Sequence, residues 1–491
     1  MPQASWQEFE RYAARLLERG KVPCAMVAVA VSGEKVYSKG FGYRDVERKI
    51  EPDLDTIFGI GSITKSFTAV AILQLEEQGK LKVSDPVVKY LPEFKFGKSG
   101  IEKGMTIHHF LTHTAGLPPL PSLNRTLVRS LMKDFERNEG PELTGRAKKA
   151  QEKQMEQLKS LTPIDTFEQL LEFIADLDVP PLGQPGERFS YSNDSYALLG
   201  LIIERVSGEK YEDYITRHIL EPAGMVHSSF DSYKTDNVAV LHASKRVGGK
   251  TVVYPSPLFW TSPSMSAAGF LRSTVRDMLK YMEIFRTGGM VGDRRILSEE
   301  SVEKMTSPQV RLPGGNAYGY GLIVQPNYRG VSLVEHGGNL KGVSAQVSCI
   351  PEKGITGVAL TSLQTGPAPA VLLGATNVVL GAPVSSARAT FPRFEMTPER
   401  LRRYEGTYVS GEGATVKVVS KGNRLALKMA DRTITARPTA LDTFVITING
   451  SGMPAAFLRN QAGEITALHM GFRMIPKAPA AAVQEKKGAA D

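Results

Sequence analysis

The sequence predicts an α/β domain, an antiparallel sheet flanked by helices with an inserted helical subdomain, followed by a small C-terminal antiparallel β-barrel. Two alternating apolar segments at 25–31 and 35–42 surround a Ser-Gly-Glu turn, which is typical of a β-hairpin. Comparable segments return only at 320–362, after a mainly helical stretch from about 62 to 290. Short alternating segments then fill 398–476, as in a small barrel or sandwich. The first two groups of strands therefore belong to one sheet, into which the helices are inserted.

Changes in composition predict the domain boundaries. The first domain covers 1–380 and includes a helical insertion at about 119–180. A segment that contains Pro and Ser, 381–397, is expected to be a linker to the barrel at 398–476. The last segment, 477–491, is rich in Ala and Lys and has too little apolar bulk to pack, so we expect it to be disordered.

Charge and composition exclude several classes of function. The net charge of +9 comes from basic residues spread along the chain, which indicates a basic surface and not a nucleic-acid site. No apolar run reaches the roughly 18 residues that cross a bilayer, and the charged N-terminal segment lacks the apolar core of a signal peptide. We therefore expect a cytoplasmic protein without nucleic-acid or membrane partners. Cys24 and Cys349 lie in apolar stretches and are expected to be buried free thiols. No metal-ligand or cofactor-binding pattern occurs, so no cofactor is predicted.

The segment Gly61–Thr68, GSITKSFT, places Ser62 and Lys65 one helical turn apart at the start of an almost wholly apolar helix. Residues i and i+3 share a helix face, so the lysine amine can reach the serine hydroxyl. Burial lowers a lysine pKa, and a neutral amine can take the serine proton. The spacing alone is weak evidence, because the chain contains five copies of it. The alternative is a serine helix cap beside a surface lysine.

Two further groups supply polar atoms for the same chemistry. Tyr191-Ser192-Asn193 precedes another apolar helix, where a tyrosine can transfer protons and an asparagine can bind both a lysine and a substrate carbonyl. The alternative is a loop tyrosine beside an asparagine cap. At the end of a strand, His336, Gly337 and Gly338 precede Asn339, whose N–H can join that of Ser62 in an oxyanion hole.

In this order the three elements resemble the serine β-lactamase, penicillin-binding protein and D-aminopeptidase superfamily. LTHTAGLP at 111–118, SAAGFLRST at 266–274 and YGYGLIV before the third element look like further pieces of the same family, so the resemblance spans about 20–375. It implies a β-lactamase/transpeptidase-like fold, with Ser62 as acylated nucleophile, Lys65 as base and Tyr191 as second proton-transfer group. It also implies that Asn193 positions the substrate and that the Ser62 and Asn339 N–H groups bind the oxyanion.

One departure from the family bears on the substrate. Many relatives have Lys-Thr-Gly or Lys-Ser-Gly where this chain has His336-Gly337-Gly338, which resembles the esterase and aminopeptidase branches. A histidine there is expected to contact the substrate and to be partly protonated near neutral pH. Relatives with a lipocalin-like barrel are commonly peptidases or esterases.

We therefore expect a serine hydrolase acting on small peptides or D-amino-acid derivatives. The alternatives are a carboxylesterase, a β-lactamase or DD-carboxypeptidase, and an inactive binding protein on the same fold. The expected partner is a small-molecule or peptide substrate, with a homo-oligomer possible.

The sequence leaves the role of the insertion at 119–180 open. Leucines at 120, 123, 127 and 131 have helical spacing, and charged residues dominate 133–159. An apolar stripe must be buried against something. We expect a lid over the Ser62 cleft, with a solvated helical excursion or a contact to a second subunit as alternatives.

Overall fold

The computed structural model describes residues 3–231, 235–429, 432–448 and 451–479. Its first domain is built on an antiparallel eight-stranded sheet with the strand order β2-β1-β14-β13-β12-β11-β10-β9. The strands before the barrel are β1 (Cys24–Val31), β2 (Glu34–Gly42), β3 (Phe58–Gly59), β4 (His242–Val247), β5 (Lys250–Pro255), β6 (Arg272–Ser273), β7 (Met290–Val291), β8 (Arg294–Arg295), β9 (Val310–Arg311), β10 (Ala317–Tyr318), β11 (Ile323–Tyr328), β12 (Val331–Leu340), β13 (Val343–Ile350) and β14 (Ile355–Thr361).

The N-terminal strands join the later ones, because β1 pairs with β14 along its whole length. Side chains alternate between the two faces of β1, as the period of a strand requires. Met26 and Ala28 contribute to one core, and Val27 and Val29 to the other. The predicted fold class is therefore confirmed, with one sheet formed by segments more than 300 residues apart in the chain.

Helices cover both faces of this sheet. Helices α1 and α13 pack on the face of Val27, and α11 lies on the other face next to the remaining helices. The helices are α1 (Gln3–Gly20), α2 (Thr64–Glu77), α3 (Ile107–Leu111), α4 (Ser122–Thr126), α5 (Val128–Arg137), α6 (Gly145–Lys159), α7 (Phe167–Ala175), α8 (Asn193–Ser207), α9 (Tyr211–Ile215), α10 (Ser266–Gly269), α11 (Val275–Arg286), α12 (Glu299–Thr306), α13 (Ala368–Val379) and α14 (Pro398–Arg402). Cys24 and Cys349 are free and buried, as predicted.

The insertion at 119–180 contains four helices, α4 to α7. The leucine stripe is not one continuous helix, because α4 ends at Thr126 and Leu127 separates it from α5. Leu120 and Leu127 are buried within the chain itself, so they are unavailable to a second subunit. Helix α6 is mostly exposed, as its charged sequence predicts.

The C-terminal strands form an eight-stranded, nearly closed antiparallel barrel, in agreement with the prediction. The barrel closes where the backbone N–H of Ala478 donates to the carbonyl of Thr407, at 2.8 Å. The predicted tail at 477–491 therefore begins with residues bonded to the barrel, and 480–491 lies outside the described residues. The barrel strands are β15 (Gly406–Val409), β16 (Thr415–Lys421), β17 (Arg424–Lys428), β18 (Thr433–Ala440), β19 (Thr443–Ile448), β20 (Ser451–Arg459), β21 (Ile465–Met470) and β22 (Arg473–Pro476).

The segment 381–397 contains neither helix nor strand, yet it is fastened to the first domain. Arg388 forms two hydrogen bonds of 2.8 Å with the carboxylate of Glu335 on β12, and its guanidinium also donates to the carbonyl of Pro369. Glu335 is only 5% exposed. Because a buried charge that loses its partner is strongly destabilising, this segment contributes to the stability of the first domain.

Candidate active site

Ser62 stands in a one-turn 3-10 helix, Gly61–Ile63, that leads directly into α2. Gly61 has a φ of 51°, a conformation that glycine adopts at little cost. A Cβ atom at Gly61 would lie 2.8 Å from the backbone nitrogen of Asn339 on β12, so glycine also permits the close approach of that strand. Ser62 is partly exposed, whereas most of α2 behind it is buried. The serine hydroxyl is thus at the surface of a rigid apolar helix.

Lys65 is fully buried, and three acceptors surround its amine. The Nζ atom lies 2.5 Å from the carbonyl of Ala268 in α10, 2.9 Å from Asn193 Oδ1 and 3.2 Å from Ser62 Oγ. Burial is the main cause that lowers the Lys65 pKa well below its usual value, and the positive charge of Arg473 lowers it further. A neutral amine has two N–H bonds and one lone pair. The two carbonyl oxygens can only accept, so in the neutral form they use both N–H bonds and the lone pair is free to accept from the Ser62 hydroxyl.

Tyr191 and Asn193 precede and begin helix α8, whose N-terminus is capped by the Ser192 hydroxyl. Tyr191 is buried, with its ring centroid 4.8 Å from Lys65 Nζ. Burial raises the pKa of the Tyr191 hydroxyl above its usual value, an effect that the nearby Ser62 hydroxyl opposes. Within the described residues no hydrogen bond of ordinary geometry reaches this hydroxyl. The structure therefore brings Ser62, Lys65, Tyr191 and Asn193 into one cluster, with a protonated tyrosine next to the Ser62 hydroxyl.

Strand β12 passes beside the Ser62 turn at Gly338 and Asn339. A Cβ atom at Gly338 would lie 1.8 Å from the carbonyl oxygen of Ile60, so only glycine fits there. Asn339 is exposed at the end of the strand. These two positions thus lie next to the Ser62 turn, where the sequence places them.

His336 does not have the protonation state that the sequence suggests. It is 3% exposed, and burial lowers its pKa to about 3, with a further contribution from the charge of Lys65. Its Nδ1 donates to the carbonyl of Gly337 at 2.7 Å, and its Nε2 lies 3.3 Å from the Tyr318 hydroxyl. The expectation of a partly protonated histidine is therefore wrong, because desolvation keeps the ring neutral. Contact between His336 and the substrate stays a prediction.

His113 of the LTHTAGLP segment completes a directed hydrogen-bond chain with Tyr318 and His336. The Ser192 N–H donates to His113 Nδ1 at 3.1 Å, which leaves the proton of a neutral ring on Nε2. His113 Nε2 then donates to the Tyr318 hydroxyl at 3.2 Å, and that hydroxyl donates to His336 Nε2. The chain thus connects the tyrosine loop to β12. Sequence analysis included both residues in segments that resemble the family, LTHTAGLP and YGYGLIV, but assigned no role to Tyr318.

The barrel contributes to the same site, which the sequence did not indicate. Arg473 on β22 forms a two-bond ion pair with Glu412, at 3.0 and 3.2 Å, and its guanidinium lies 4.7 Å from the Tyr191 ring centroid. The Tyr191 N–H donates to the carbonyl of Phe472 at 2.8 Å. The barrel is therefore a wall of the site. Strand β22 was itself missed, although the alternation in Arg473–Pro476 was a weak signal for it.

Helices α5 and α6 of the insertion border a cavity of about 710 Å³. The opposite side is formed by the β4–β5 hairpin, which sequence analysis missed although Gly248-Gly249 between two alternating segments is a hairpin signal. Lys341 also borders the cavity and forms an ion pair of 2.5 Å with Asp134 of α5. Consecutive Cα atoms are about 3.8 Å apart, so the Cα atom of Lys341 lies within about 7.6 Å of the Cα atom of Asn339. The insertion thus forms part of a cavity next to β12.

A fold and a polar cluster of this kind define the class of serine hydrolases to which β-lactamases and penicillin-binding proteins belong. The chain matches the Beta-lactamase family over residues 9–379, and it belongs to that family. None of the helices in the described part of the chain is long and apolar enough to cross a membrane. The cytoplasmic location stays a prediction.

Individual relatives agree with this assignment. The chain is 27% identical over 370 residues to Protein flp of Staphylococcus aureus, a match that covers 74% of this chain and 64% of that protein. It is 33% identical over 297 residues to the putative penicillin-binding protein PbpX of Bacillus subtilis, which covers 60% of each.

Two solved structures resemble the whole chain. The octameric penicillin-binding protein homologue from Pyrococcus abyssi has 32% identity and a TM-score of 0.66, covering 96% of this chain and 99% of that one. SurE has a TM-score of 0.68 with 21% identity over 97% of this chain and 99% of that chain, a likeness of fold alone.

Proposed function

We propose that this protein is a serine peptidase that forms an acyl-enzyme on Ser62 and cleaves amide bonds in small peptides or D-amino-acid derivatives. The observation that carries the proposal is the arrangement around Lys65. The carbonyl oxygens of Ala268 and Asn193 accept hydrogen bonds from the amine, and Ser62 Oγ lies 3.2 Å from Nζ, on the side where the neutral form would have its lone pair. A base in this state can take the serine proton without first losing one of its own.

In the proposed reaction the Ser62 oxygen attacks the substrate carbonyl while its proton moves to Lys65. The backbone N–H groups of Ser62 and Asn339 are proposed to bind the resulting oxyanion, which places the negative charge at fixed donors. The C–N bond breaks when the leaving nitrogen receives a proton, and Tyr191 is proposed to deliver it. The proton held by Lys65 is then proposed to pass to Tyr191, which restores both groups. Water releases the acyl group, its OH adding to the acyl carbon and its remaining proton returning to the Ser62 oxygen.

Tyr191 favours an amide over an ester substrate. An amine leaves a tetrahedral intermediate only after protonation, whereas an activated alkoxide leaves without it. The Tyr191 hydroxyl retains its proton and has no competing partner within the described residues. Carboxylesterase activity is the second candidate, because the Ser62–Lys65 pair suffices for a good leaving group.

A substrate panel tests the proposal. We expect turnover of D- or L-aminoacyl anilides, and a comparison with p-nitrophenyl esters and nitrocefin identifies the preferred bond. Tyr191→Phe should reduce anilide turnover by about 10²- to 10⁴-fold, the usual value of a proton-transfer group, and p-nitrophenyl ester turnover much less. Equal losses on both substrates would contradict the role of Tyr191 in protonating the leaving group. Turnover of esters alone would favour the second candidate.

The insertion is proposed to limit the size of the substrate. Ala150 borders the cavity under α5 and α6, whereas Glu152 on the same helix is exposed and does not. Ala150→Trp should reduce turnover of substrates with large acyl groups roughly tenfold, the scale on which hydrophobic pockets discriminate size. Glu152→Trp is the matched control and should have no effect. If both variants behave alike, the cavity lies outside the substrate path.

The assembly is a further part of the proposal. The homologue from Pyrococcus abyssi is described as octameric, and it matches almost the whole of this chain. We propose that this protein also forms a homo-oligomer. Light scattering on the full chain should show a mass several times that of one subunit, and a monomeric mass would contradict it.

A further inference from the structure

A second cavity, of about 670 Å³, lies between the C-terminal end of α1 and the β4–β5 hairpin. Five basic side chains and no acidic side chain border it. We call it the basic cavity, bordered by Arg19, Lys21, Lys245, Arg246 and Lys250. It is a different space from the Ser62 site, whose residues do not border it, and its role goes beyond the proposed hydrolysis.

Local structure explains why these distant residues meet. Helix α1 ends at Gly20, and Lys21 follows with a φ of 53°. The Lys21 amine donates to the carbonyl of Thr251 on β5 at 2.7 Å, which fastens the hairpin to the end of the helix. Lys245 and Arg246 lie on β4, and Lys250 begins β5 just after the Gly248-Gly249 turn. Two basic residues from the helix end and three from the hairpin therefore border one concave space. The amine of Lys245 itself points toward Glu139 at the first cavity.

Within the described residues these cations have no carboxylate partners. Lys21 and Lys245 donate to the backbone carbonyls of Thr251 and Glu139, which carry no net charge. Across the described ranges, none of the five forms a salt bridge with Asp or Glu. The carboxylate of Glu139 is already bonded to Arg137 and Ser256. Like charges in a concave site raise the local potential and attract anions.

Helix stabilisation accounts for only part of the cluster. Basic residues at a helix C-terminus interact favourably with the helix dipole, which explains Arg19 and Lys21. The dipole is equivalent to about half a charge, so it does not balance five cations. It also gives no reason for the three basic residues on the hairpin. Their convergence requires a different explanation.

We infer that the basic cavity binds a small soluble polyanion, a compound with two or more phosphate groups. The volume lies within the roughly 300–1,000 Å³ that small-molecule sites occupy. Phosphate groups accept hydrogen bonds from Lys and Arg, and Arg binds them through two N–H groups at once. A concave site favours a small molecule over a membrane or a nucleic-acid duplex, each of which needs an extended positive surface.

Calorimetric titration of the full chain with pyrophosphate and tripolyphosphate, at constant ionic strength, tests this inference. We expect saturable binding of one ligand per chain, weakened at least tenfold in Arg246→Ala/Lys250→Ala. The control Lys80→Ala/Lys98→Ala removes two charges from exposed positions elsewhere and should bind like the unmodified chain. Thermal unfolding of all three proteins checks that the folds are equivalent. Absence of saturable binding, or equal weakening in both variants, would overturn the inference.

Two further measurements separate the sources of the anion. Sedimentation with phosphatidylglycerol vesicles should leave the protein in solution. Sedimentation that depends on Arg246 and Lys250 and resists competition by pyrophosphate would show a lipid surface as the partner and overturn the proposal of a soluble ligand. A changed particle mass of Arg246→Ala/Lys250→Ala in light scattering would show a subunit contact and overturn it as well. None of these outcomes depends on Ser62, so labelling of Ser62 tests the proposed hydrolysis separately.

Discussion

Lys65 on helix α2 and His336 on strand β12 are two buried nitrogen bases near Ser62. Their surroundings differ in one respect. Burial lowers the pKa of both groups and so favours their neutral forms in the folded protein. The Lys65 amine lies 3.2 Å from the Oγ atom of the partly exposed Ser62, whereas His336 Nε2 accepts a hydrogen bond from the Tyr318 hydroxyl. Burial alone therefore does not distinguish the two bases. Their hydrogen-bond neighbours do, and we propose Lys65 as the general base because its neighbour is the partly exposed serine.

The largest expected effect is at Lys65. Lys65→Ala should reduce kcat/KM by about 10³-fold or more, as should Ser62→Ala, and the double variant should be no worse, because residues that act as a unit are non-additive. The control is Lys304→Ala, which removes the lysine of another Ser-x-x-Lys pair, one bound to Glu76 on the surface. Additive losses, or an inactive Lys304→Ala, would contradict the difference between the two lysines.

A smaller effect is expected at His336. His336→Gln should reduce kcat/KM less than roughly tenfold, because one neutral hydrogen bond has a net value of about 1 kcal/mol. The pH profile of the unmodified chain should also lack a histidine-dependent limb between about pH 5 and 8. A loss as large as that of Lys65→Ala would show that His336 participates in the reaction and would remove the contrast between the two bases.

Two charged residues of the barrel should shift the pKa of Lys65. Arg473 lowers the Lys65 pKa and Glu412 raises it. Activity requires neutral Lys65 and rises as the pH passes its pKa. Arg473→Gln should therefore move the acidic limb of kcat/KM to higher pH, and Glu412→Gln should move it to lower pH. The double variant should lie between them. Shifts in the same direction for both single variants would exclude this electrostatic influence.

The smallest effect concerns stability at low pH. The pKa of His336 falls from 6.5 to about 3 on folding, so between these values the unfolded chain binds the proton and the folded chain does not. The stability due to the neutral ring is complete above pH 6.5 and is lost as the pH decreases toward 3. Denaturant unfolding should show a smaller loss of stability in His336→Gln than in the unmodified chain over this range. Equal slopes would mean that the ring titrates normally when folded.

Local sequence predicted those parts of the site that depend on neighbours in the chain. Ser62 and Lys65 share one helix face because they are three residues apart, and Ser192 caps the helix that Asn193 begins. The apolar run of β1, with its hairpin turn, and the strand patterns of β12 to β14 were enough to predict one sheet. Each of these features follows from the period of a helix or strand, which the order of residues determines directly.

Long-range packing decided the rest, because it depends on distances that no local pattern contains. His336 resembles a titrating substrate ligand in the sequence, and only its burial beside Tyr318 shows it to be neutral and engaged. Arg473 follows Tyr191 by 282 positions, and the docking of the barrel brings it onto that ring. Lys21 and Lys250 meet only because the hairpin bonds to the end of α1. Sequence alone determined the fold and the pairing of Ser62 with Lys65, whereas charge, protonation and the walls of the cavities arose from tertiary contacts, since desolvation and Coulomb interactions act through space.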